Sequence, residues 1–363
     1  MMKYSFKLSL LVVVLILGIV GSSLAQDANP VVLGPITQRI IERGELICGV
    51  NAALPGFSAP NDAGQFVGFD VDFCRAVAAA ILGSADAVSF RPLTAAERQA
   101  ALQAEEIDML SRNTTFTLSR DTSWGATFAP TTFYDGQGVM TTTESGITTL
   151  EGLEGLVICT NQGTTTEGNI TDAMRERGLA FELQTFAEFP QAFEAFLAGG
   201  CDAVTTDISG LVSYQATAPD PGALYILRTE DGSDYLRTSK EPLGPVTPQS
   251  DAQFADIVRW TIYGMFAAEE FGISSETIDA VLAANQPGVE GARPVIQRLL
   301  GIGENPSGSY LGIANNFVEV VVRQVGNYGE VFARNLSVAP FNIPRGLNEL
   351  YTNGGLIYAP PFR

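Results

Sequence analysis

The chain has 363 residues and not one histidine among them. That absence removes Ser-His-Asp and Cys-His catalysis together with every histidine-based metal site, so zinc, and a metal site in general, is not expected. No Cys-x-x-Cys pair occurs, and neither does Gly-x-x-x-x-Gly-Lys-Ser/Thr, so the chain is not itself an ATPase. Charged residues are scarce, at 17%, and form no long run of one sign, so disorder is not indicated. Positive charge is the scarcer sign: 21 Lys and Arg face 40 Asp and Glu, a formal net charge of -19. A balance so acidic argues against nucleic acid and anionic lipid as partners, and its plain use is solubility.

What is present is enough apolar material, 46%, for real cores. The length exceeds one ordinary domain and predicts two lobes. The first residues carry Lys3 and Lys7, an apolar run from Leu8 to Val20, and then Ser23-Leu24-Ala25. This is the pattern of an export leader over 1–25, cleaved before Gln26, because the run is shorter than the roughly 20 residues of a spanning helix. Loss of the two lysines would take the formal charge to -21. No second apolar run has spanning length, and no cysteine follows the cleavage site, so the mature protein is expected to be exported, soluble and free of a lipid anchor. The four cysteines, Cys48, Cys74, Cys159 and Cys201, allow three pairings. The pairing Cys48–Cys74 with Cys159–Cys201 keeps each bridge within one half of the chain and is favoured, with buried free thiols as the alternative.

Periodicity predicts two successive parallel α/β units. The first comprises a short helix from Ile36 to Arg43, a buried strand Leu46 to Val50, a helix Val71 to Leu82, a strand Val88 to Pro92, a helix Ala95 to Ala104 with Arg98 on its solvent side, and a strand Ile107 to Leu110. The second comprises a strand Leu156 to Cys159, a helix Gly168 to Arg177, a strand Phe181 to Phe186, a helix Phe189 to Ala198 and a strand Cys201 to Thr206. Asp207 is placed as the cap of a helix Ile208 to Gln215. Two glycine-bearing extended segments, Tyr134 to Val139 and Glu241 to Val246, would let the chain leave one lobe and return, as a hinge does. A long amphipathic helix from Asp251 to Glu270 follows, then a turn-rich stretch from Gly272 to Leu311. A helix interrupted around Gly326-Asn327-Tyr328-Gly329 and an irregular tail complete the chain.

Two stretches carry the chemistry. Asn113-Thr114-Thr115-Phe116-Thr117-Leu118-Ser119-Arg120 sets hydroxyls, open backbone groups and one guanidinium at a strand end, a turn and a helix start, which suits a carboxylate. Thr205-Thr206-Asp207 supplies an acid from the other half. A carboxylate grip with a facing acid describes a receptor for a free α-amino acid.

Gly68-Phe69-Asp70-Val71-Asp72-Phe73, followed by Ala76, Val77 and Ala80, resembles the signature of family 3 bacterial solute-binding proteins, the polar amino-acid receptors of ABC importers. The whole mature chain is similar to one subgroup, the general L-amino-acid receptors. The similarity runs through Leu54-Pro55-Gly56-Phe57, Leu110 to Asp121, Gly163-Thr164-Thr165-Thr166-Glu167, Thr205-Thr206-Asp207, Ser239-Lys240-Glu241-Pro242-Leu243-Gly244-Pro245 and the ending Tyr358-Ala359-Pro360-Pro361. All four cysteines fall at positions that look like the subgroup's. The resemblance implies an α/β, type II periplasmic-binding-protein fold, with two α/β lobes joined by a two-segment hinge. Its lobes would be 26–138 for the first part of lobe one, 139–242 for lobe two, and 243–363 for the return of lobe one with a C-terminal helical extension. The segment between Glu270 and Val325 looks like an insertion relative to smaller family members.

Carried onto this sequence, the resemblance implies Arg120 for the ligand's α-carboxylate, where a guanidinium offers two parallel donors. Thr115 would add its hydroxyl, and Thr165 a backbone N–H from the facing lobe. Asp207 would hold the α-ammonium, which needs a charged partner on leaving water, with an oxygen of Asn113 as second acceptor. Phe57 and Leu54 are candidates for an apolar pocket wall. Asn51 stands where many relatives carry an acid or hydroxyl, and Arg112 could meet an acidic substrate's second carboxylate. Asn161 replaces a Lys of glutamine-specific relatives and fits a broader receptor. Thr164 and Thr166 are weaker candidates, and Gly163 to Thr166 before a helix could also suit a free phosphate or sulfate.

The implied function is extracytoplasmic capture of free L-amino acids, polar, acidic or of broad range, by lobe closure, with delivery to the permease subunits of an ABC importer in the periplasm. No cofactor and no catalysis are expected. The competing readings are an amino-acid sensor for a membrane receptor and an enzyme on the same fold, such as a cyclohexadienyl dehydratase, for which Glu167 is the nearest acid without a binding role.

Overall fold

The structure is a computed structural model and describes residues 31–303 and 307–363. The leader expected over 1–25 lies outside the described residues. Two separate five-stranded sheets form the centres of two α/β lobes. In the first lobe the strand order is Val88–Pro92, Leu46–Val50, Met109–Leu110, Val246–Pro248, Ala126–Phe128. The first three run parallel and Val246–Pro248 is antiparallel to both neighbours. In the second lobe the order is Glu182–Phe186, Val157–Asn161, Ala203–Asp207, Gln137–Thr142, Leu224–Ile226, again with three parallel strands and one antiparallel between its neighbours. The antiparallel strand is in each case the one that crosses between lobes. Each sheet therefore sends the carboxyl ends of its parallel strands toward one crevice, where ligands bind in open α/β sheets.

The crossing itself is a two-stranded ladder, Phe133–Asp135 with Glu241–Leu243, in the register Glu241↔Asp135, Pro242↔Tyr134 and Leu243↔Phe133. The two glycine-bearing segments expected to form a hinge do pair there, and the fold is the two-lobed α/β one that the resemblance implied.

Both favoured disulfides form. Cys48–Cys74 ties the first strand to the helix Phe69–Leu82, and Cys159–Cys201 ties two adjacent elements of the second lobe. With sequence separations of 26 and 42 residues, the loop entropy removed from the unfolded chain corresponds to about 3.5–4 kcal/mol per bridge in the chain-entropy model.

Boundaries shift where tertiary contacts extend the pattern. The helix expected from Val71 begins at Phe69, because Gly68 turns the chain with φ 131° against Phe57 O, which a Cβ would meet at 2.3 Å. Phe69 N and Asp70 N then donate to Gly56 O and Phe57 O, both at 2.9 Å. The helix expected from Gly168 begins at Thr165, so the threonines form its first turn and not a turn before it. Asp72 accepts from Arg334 (2.7 and 3.0 Å) and from Asn335 (2.6 Å), which pins the C-terminal part onto lobe one.

Ala252–Glu270 is the long helix. Asp251 caps it through Phe254 N at 2.8 Å, while its other oxygen accepts from Ile36 N at 2.8 Å. Phe254, Ile257, Val258, Ile262, Met265 and Phe266 are buried, the spacing of an apolar helical face. The stretch expected to be turn-rich contains two short helices, Ile278–Ala284 and Pro294–Leu299. Beyond the interruption at Gly326, Tyr328 donates to Thr132 O at 2.9 Å, and Asn348 exchanges hydrogen bonds with the backbone of Tyr134. The C-terminal part thus braces the strand that enters the hinge. Among the described residues no helix is long and apolar enough to cross a membrane.

Candidate functional site

The crevice between the lobes is lined from lobe one by Asn51, Leu54, Arg98, Arg112, Asn113, Thr115 and Arg120. From lobe two it is lined by Asn161, Thr164, Thr165, Thr166, Glu188, Phe189, Pro190, Thr206, Asp207, Gly210 and Tyr214. Nearly all of these follow a strand's carboxyl end or open the helix after it, which is how residues distant in sequence converge.

Arg120 lies in the short helix Leu118–Ser123, whose cap Thr117 accepts from Arg120 N at 3.2 Å. One of its five N–H donors goes to Thr115 O at 3.1 Å, and the guanidinium stands 5.1 Å from the Trp124 ring centroid. It is buried and forms no ion pair among the described residues; Asp121, its neighbour, does not take it. Burial lowers its pKa, the nearby acids Glu241 and Asp207 oppose that, and the group stays cationic.

Asp207 ends the strand Ala203–Asp207 and precedes the helix Ile208–Thr217, but its side chain makes no capping hydrogen bond. The expected cap is therefore not made. The carboxylate turns into the crevice instead, where Asp207 Oδ2 accepts from Asn113 Nδ2 at 3.2 Å. Burial, with Asp135 and Glu241 nearby, pushes its pKa well above the ordinary carboxylate range, which a neighbouring cation would reverse.

Asn113 adopts φ 30°, a conformation Asn tolerates better than most residues, and its N–H donates to Asp70 Oδ2 at 2.7 Å. Its side-chain oxygen accepts from Asn51 Nδ2 at 3.2 Å, so Asn51, Asn113 and Asp207 form one chain across the crevice.

Thr115 differs from expectation, and Thr165 shares its partner. Thr115 Oγ1 donates to Glu241 Oε2 at 2.6 Å, and Thr165 Oγ1 donates to the same oxygen at 2.9 Å. Glu241 also accepts from Asn169 (2.7 Å) and Ser239 (2.5 Å). The Thr115 hydroxyl hydrogen is therefore committed to a hinge carboxylate and is not free for a ligand. Glu241 takes donors from both lobes and was not singled out from sequence.

Phe57 is the second correction. It is fully buried and stands edge-on to Phe69 (5.8 Å) and Phe133 (5.2 Å), in the aromatic core beneath the crevice and not on its wall. The apolar lining comes from Leu54, Phe189, Pro190 and Tyr214, whose hydroxyl donates to Ala53 O across the lobes.

Arg98 is the third. Expected on a solvent face, it is 2% exposed and donates to Ala95 O (3.0 Å), Thr114 Oγ1 (3.3 Å) and Gly163 O of the other lobe (3.1 Å). The signal was present: Arg98, Ala101 and Leu102 lie at i, i+3 and i+4, and the latter two are core residues. Asn161 and Thr164 line the crevice as expected, with Thr164 Oγ1 donating to Asn161 O at 2.9 Å. Arg112, also in the lining, donates through Nε to Leu93 O at 2.8 Å. Glu167 accepts from Gly163 N at 2.6 Å and is not part of the lining. Among the described residues no group of three or more acids or cysteines could hold a metal ion.

Residues 46–277 match the family model described as bacterial extracellular solute-binding proteins, family 3. The chain is similar to the general L-amino acid-binding periplasmic protein AapJ of Rhizobium johnstonii, with 44% identity over 323 residues, 88% of this chain and 91% of that one. It is similar to the glutamate/glutamine/aspartate/asparagine-binding protein BztA of Rhodobacter capsulatus, with 42% identity over 322 residues and the same two coverages, 88% and 91%. Among solved structures it resembles an ABC transporter periplasmic binding protein from Brucella ovis with glutathione bound, at 42% identity and TM-score 0.84, covering 90% of this chain and 99% of that one.

Proposed function

The chain belongs to the family 3 bacterial extracellular solute-binding proteins, and we propose that it is the periplasmic receptor of an ABC importer, capturing free L-amino acids by lobe closure. The observation that carries this reading is the opposition of Arg120 and Asp207. The Arg120 guanidinium from lobe one and the Asp207 carboxylate from lobe two face one crevice, the charge pattern of a zwitterion. The ligand's α-carboxylate goes to Arg120 and to backbone N–H groups of Thr115 and Thr165, since both hydroxyls are held by Glu241. The first N–H groups of the helix Thr165–Glu176 have no partner within the helix and suit an anion. The α-ammonium goes to Asp207, displacing the Asn113 amide that rests there. Asn51, Leu54, Arg112, Asn161, Thr164 and Tyr214 surround the side chain.

We assign 26–138 and 243–363 to lobe one and 139–242 to lobe two; the ladder Phe133–Asp135 with Glu241–Leu243 supports cuts at these places. A ligand touching both lobes favours the closed form by its differential affinity. The closed receptor then delivers to membrane permease subunits, and ATP is consumed elsewhere. Glu167, the acid weighed for a catalytic role, is not in the lining. The test is calorimetry of refolded, ligand-free protein against the twenty amino acids. Binding of several polar or acidic members is expected, and binding of none rejects the reading.

A further inference from the structure

With the α-groups assigned to Arg120 and Asp207, Arg112 is left with an anion only at long range. Arg112 is 2% exposed, and a buried guanidinium is costly unless an anion faces it. Its Nε is satisfied by Leu93 O at 2.8 Å, but its NH2 has only Glu188 Oε2, at 3.8 Å. That distance allows Coulomb attraction and is too long for a hydrogen bond. The two partners come from opposite lobes: Arg112 follows the strand Met109–Leu110, and Glu188 immediately precedes the helix Phe189–Leu197. They are also unequally held. The Arg112 side chain is 3% exposed and lies inside, whereas Glu188 is 27% exposed and stands at the rim, where a capping box with Gln191 ties it to its own helix and leaves its second oxygen free to face Arg112 or water. Among the described residues Arg98 also lacks an ion pair, but its Nε, NH1 and NH2 are met by Ala95 O, Thr114 Oγ1 and Gly163 O, whereas the Arg112 NH2 has no acceptor at hydrogen-bond distance.

We propose that Glu188 is an exchangeable counter-ion, pairing with Arg112 when the bound amino acid has an uncharged side chain and turning out to solvent when the ligand's own side-chain carboxylate takes its place. The inference rests on the amino-acid receptor reading. It lets one crevice take a dicarboxylic amino acid and its amide, because Arg112 faces one anion in either complex. With the amide bound, the amide oxygen accepts from Arg112 and its NH2 donates to Glu188. With the acid bound, the ligand carboxylate makes the short contact to Arg112 that Glu188 does not make. Burial lowers the Arg112 pKa to about 10, opposed by Glu188, Asp70 and Asp207, so the group remains a cation at neutral pH.

The test is calorimetry of the full chain with L-glutamate and L-glutamine, in wild type, Glu188→Gln, Arg112→Ala and the double variant. Without the resident anion, glutamate no longer competes for Arg112. Glu188→Gln is therefore expected to raise the glutamate-to-glutamine affinity ratio roughly tenfold, the scale of one charged hydrogen bond. In the Arg112→Ala background the same substitution is expected to leave the ratio where it was, as a coupled pair requires. A ratio that Glu188→Gln does not move, or that rises equally without Arg112, overturns the inference. Wild-type protein that binds other amino acids but neither of these two also overturns it alone. Protein that binds none of the twenty rejects the receptor reading beneath it.

Discussion

Asn113 and Asp207 meet across the crevice, the amide of one donating to the carboxylate of the other at 3.2 Å. One residue belongs to the first lobe and the other to the second. Asn113 occupies the place proposed for an ammonium, and it is a weaker partner because it brings a dipole where the ligand brings a charge.

Asp207→Asn is expected to weaken every amino acid ligand alike, by about tenfold or more, since the lost contact is charge-assisted. It should also change the pH dependence. Burial, helped by Asp135 and Glu241, holds the Asp207 carboxyl well above its usual range. As pH falls, a proton competes with the ammonium, so wild-type affinity declines from a higher pH than the ordinary aspartate value of about 3.9 would give. Titration calorimetry across pH should show that component in wild type and not in the variant.

Arg120→Ala is expected to weaken binding at least about tenfold by removing the fork that meets the α-carboxylate. Arg120→Lys should recover only part of the loss, because one ammonium cannot offer two parallel donors. Equal affinities in calorimetry for wild type and Arg120→Ala would reject the assignment.

Gly163→Ala tests the closed geometry. Gly163 has φ 75°, and a Cβ there would lie 3.0 Å from the backbone of Ala96 in the opposite lobe. The substitution strains the turn and pushes the lobes apart, so affinity should fall for all ligands together. Small-angle scattering of the ligand-saturated variant should give a larger radius of gyration than wild type; identical values would remove this contact from closure.

Asp70→Asn addresses stability. Burial raises the Asp70 carboxyl to about 7, against the pull of Asn113 N–H and Arg112. Below the ordinary value of about 3.9 both folded and unfolded chains hold the proton. Between there and the folded value the unfolded chain releases it first, so this group's contribution to stability declines as pH rises, and above that it is constant. The variant should lose less stability than wild type between about pH 4 and pH 7, read as urea midpoints. Parallel pH profiles would count against the burial effect.

The parallel strands of both sheets were legible because each is a short apolar run between turn residues: Leu46–Val50 read directly, and the run expected over Leu156 to Cys159 is Val157–Asn161. The edge strands Ala126–Phe128 and Leu224–Ile226 are three residues each and were not read. Arg120 and Asp207 were legible as a charge pair on two such units. Phe57 was misplaced because an aromatic beside a loop has the same pattern on a crevice wall as in a core. Only Phe69 and Phe133 packed around it distinguish the two. Arg98 shares a face with Ala101 and Leu102, but the acceptor that lets a guanidinium be buried there, Gly163 O, is 65 residues away on the other lobe. Glu188 and Glu241 gave no local signal, since their roles arise from groups that only folding brings near.

Besides the Asn113–Asp207 bond, three contacts between groups of the protein itself join the lobes: Arg98 to Gly163 O, Tyr214 to Ala53 O, and the shared Glu241 carboxylate beneath Thr115 and Thr165. A clasp whose two halves bond to each other as it shuts asks less of the cargo. Each solute then needs to supply only the remaining difference between open and shut, so apparent affinity rises for good and poor fits together. A contribution common to every solute raises all affinities by one factor and leaves their ratios to the groups around the side chain.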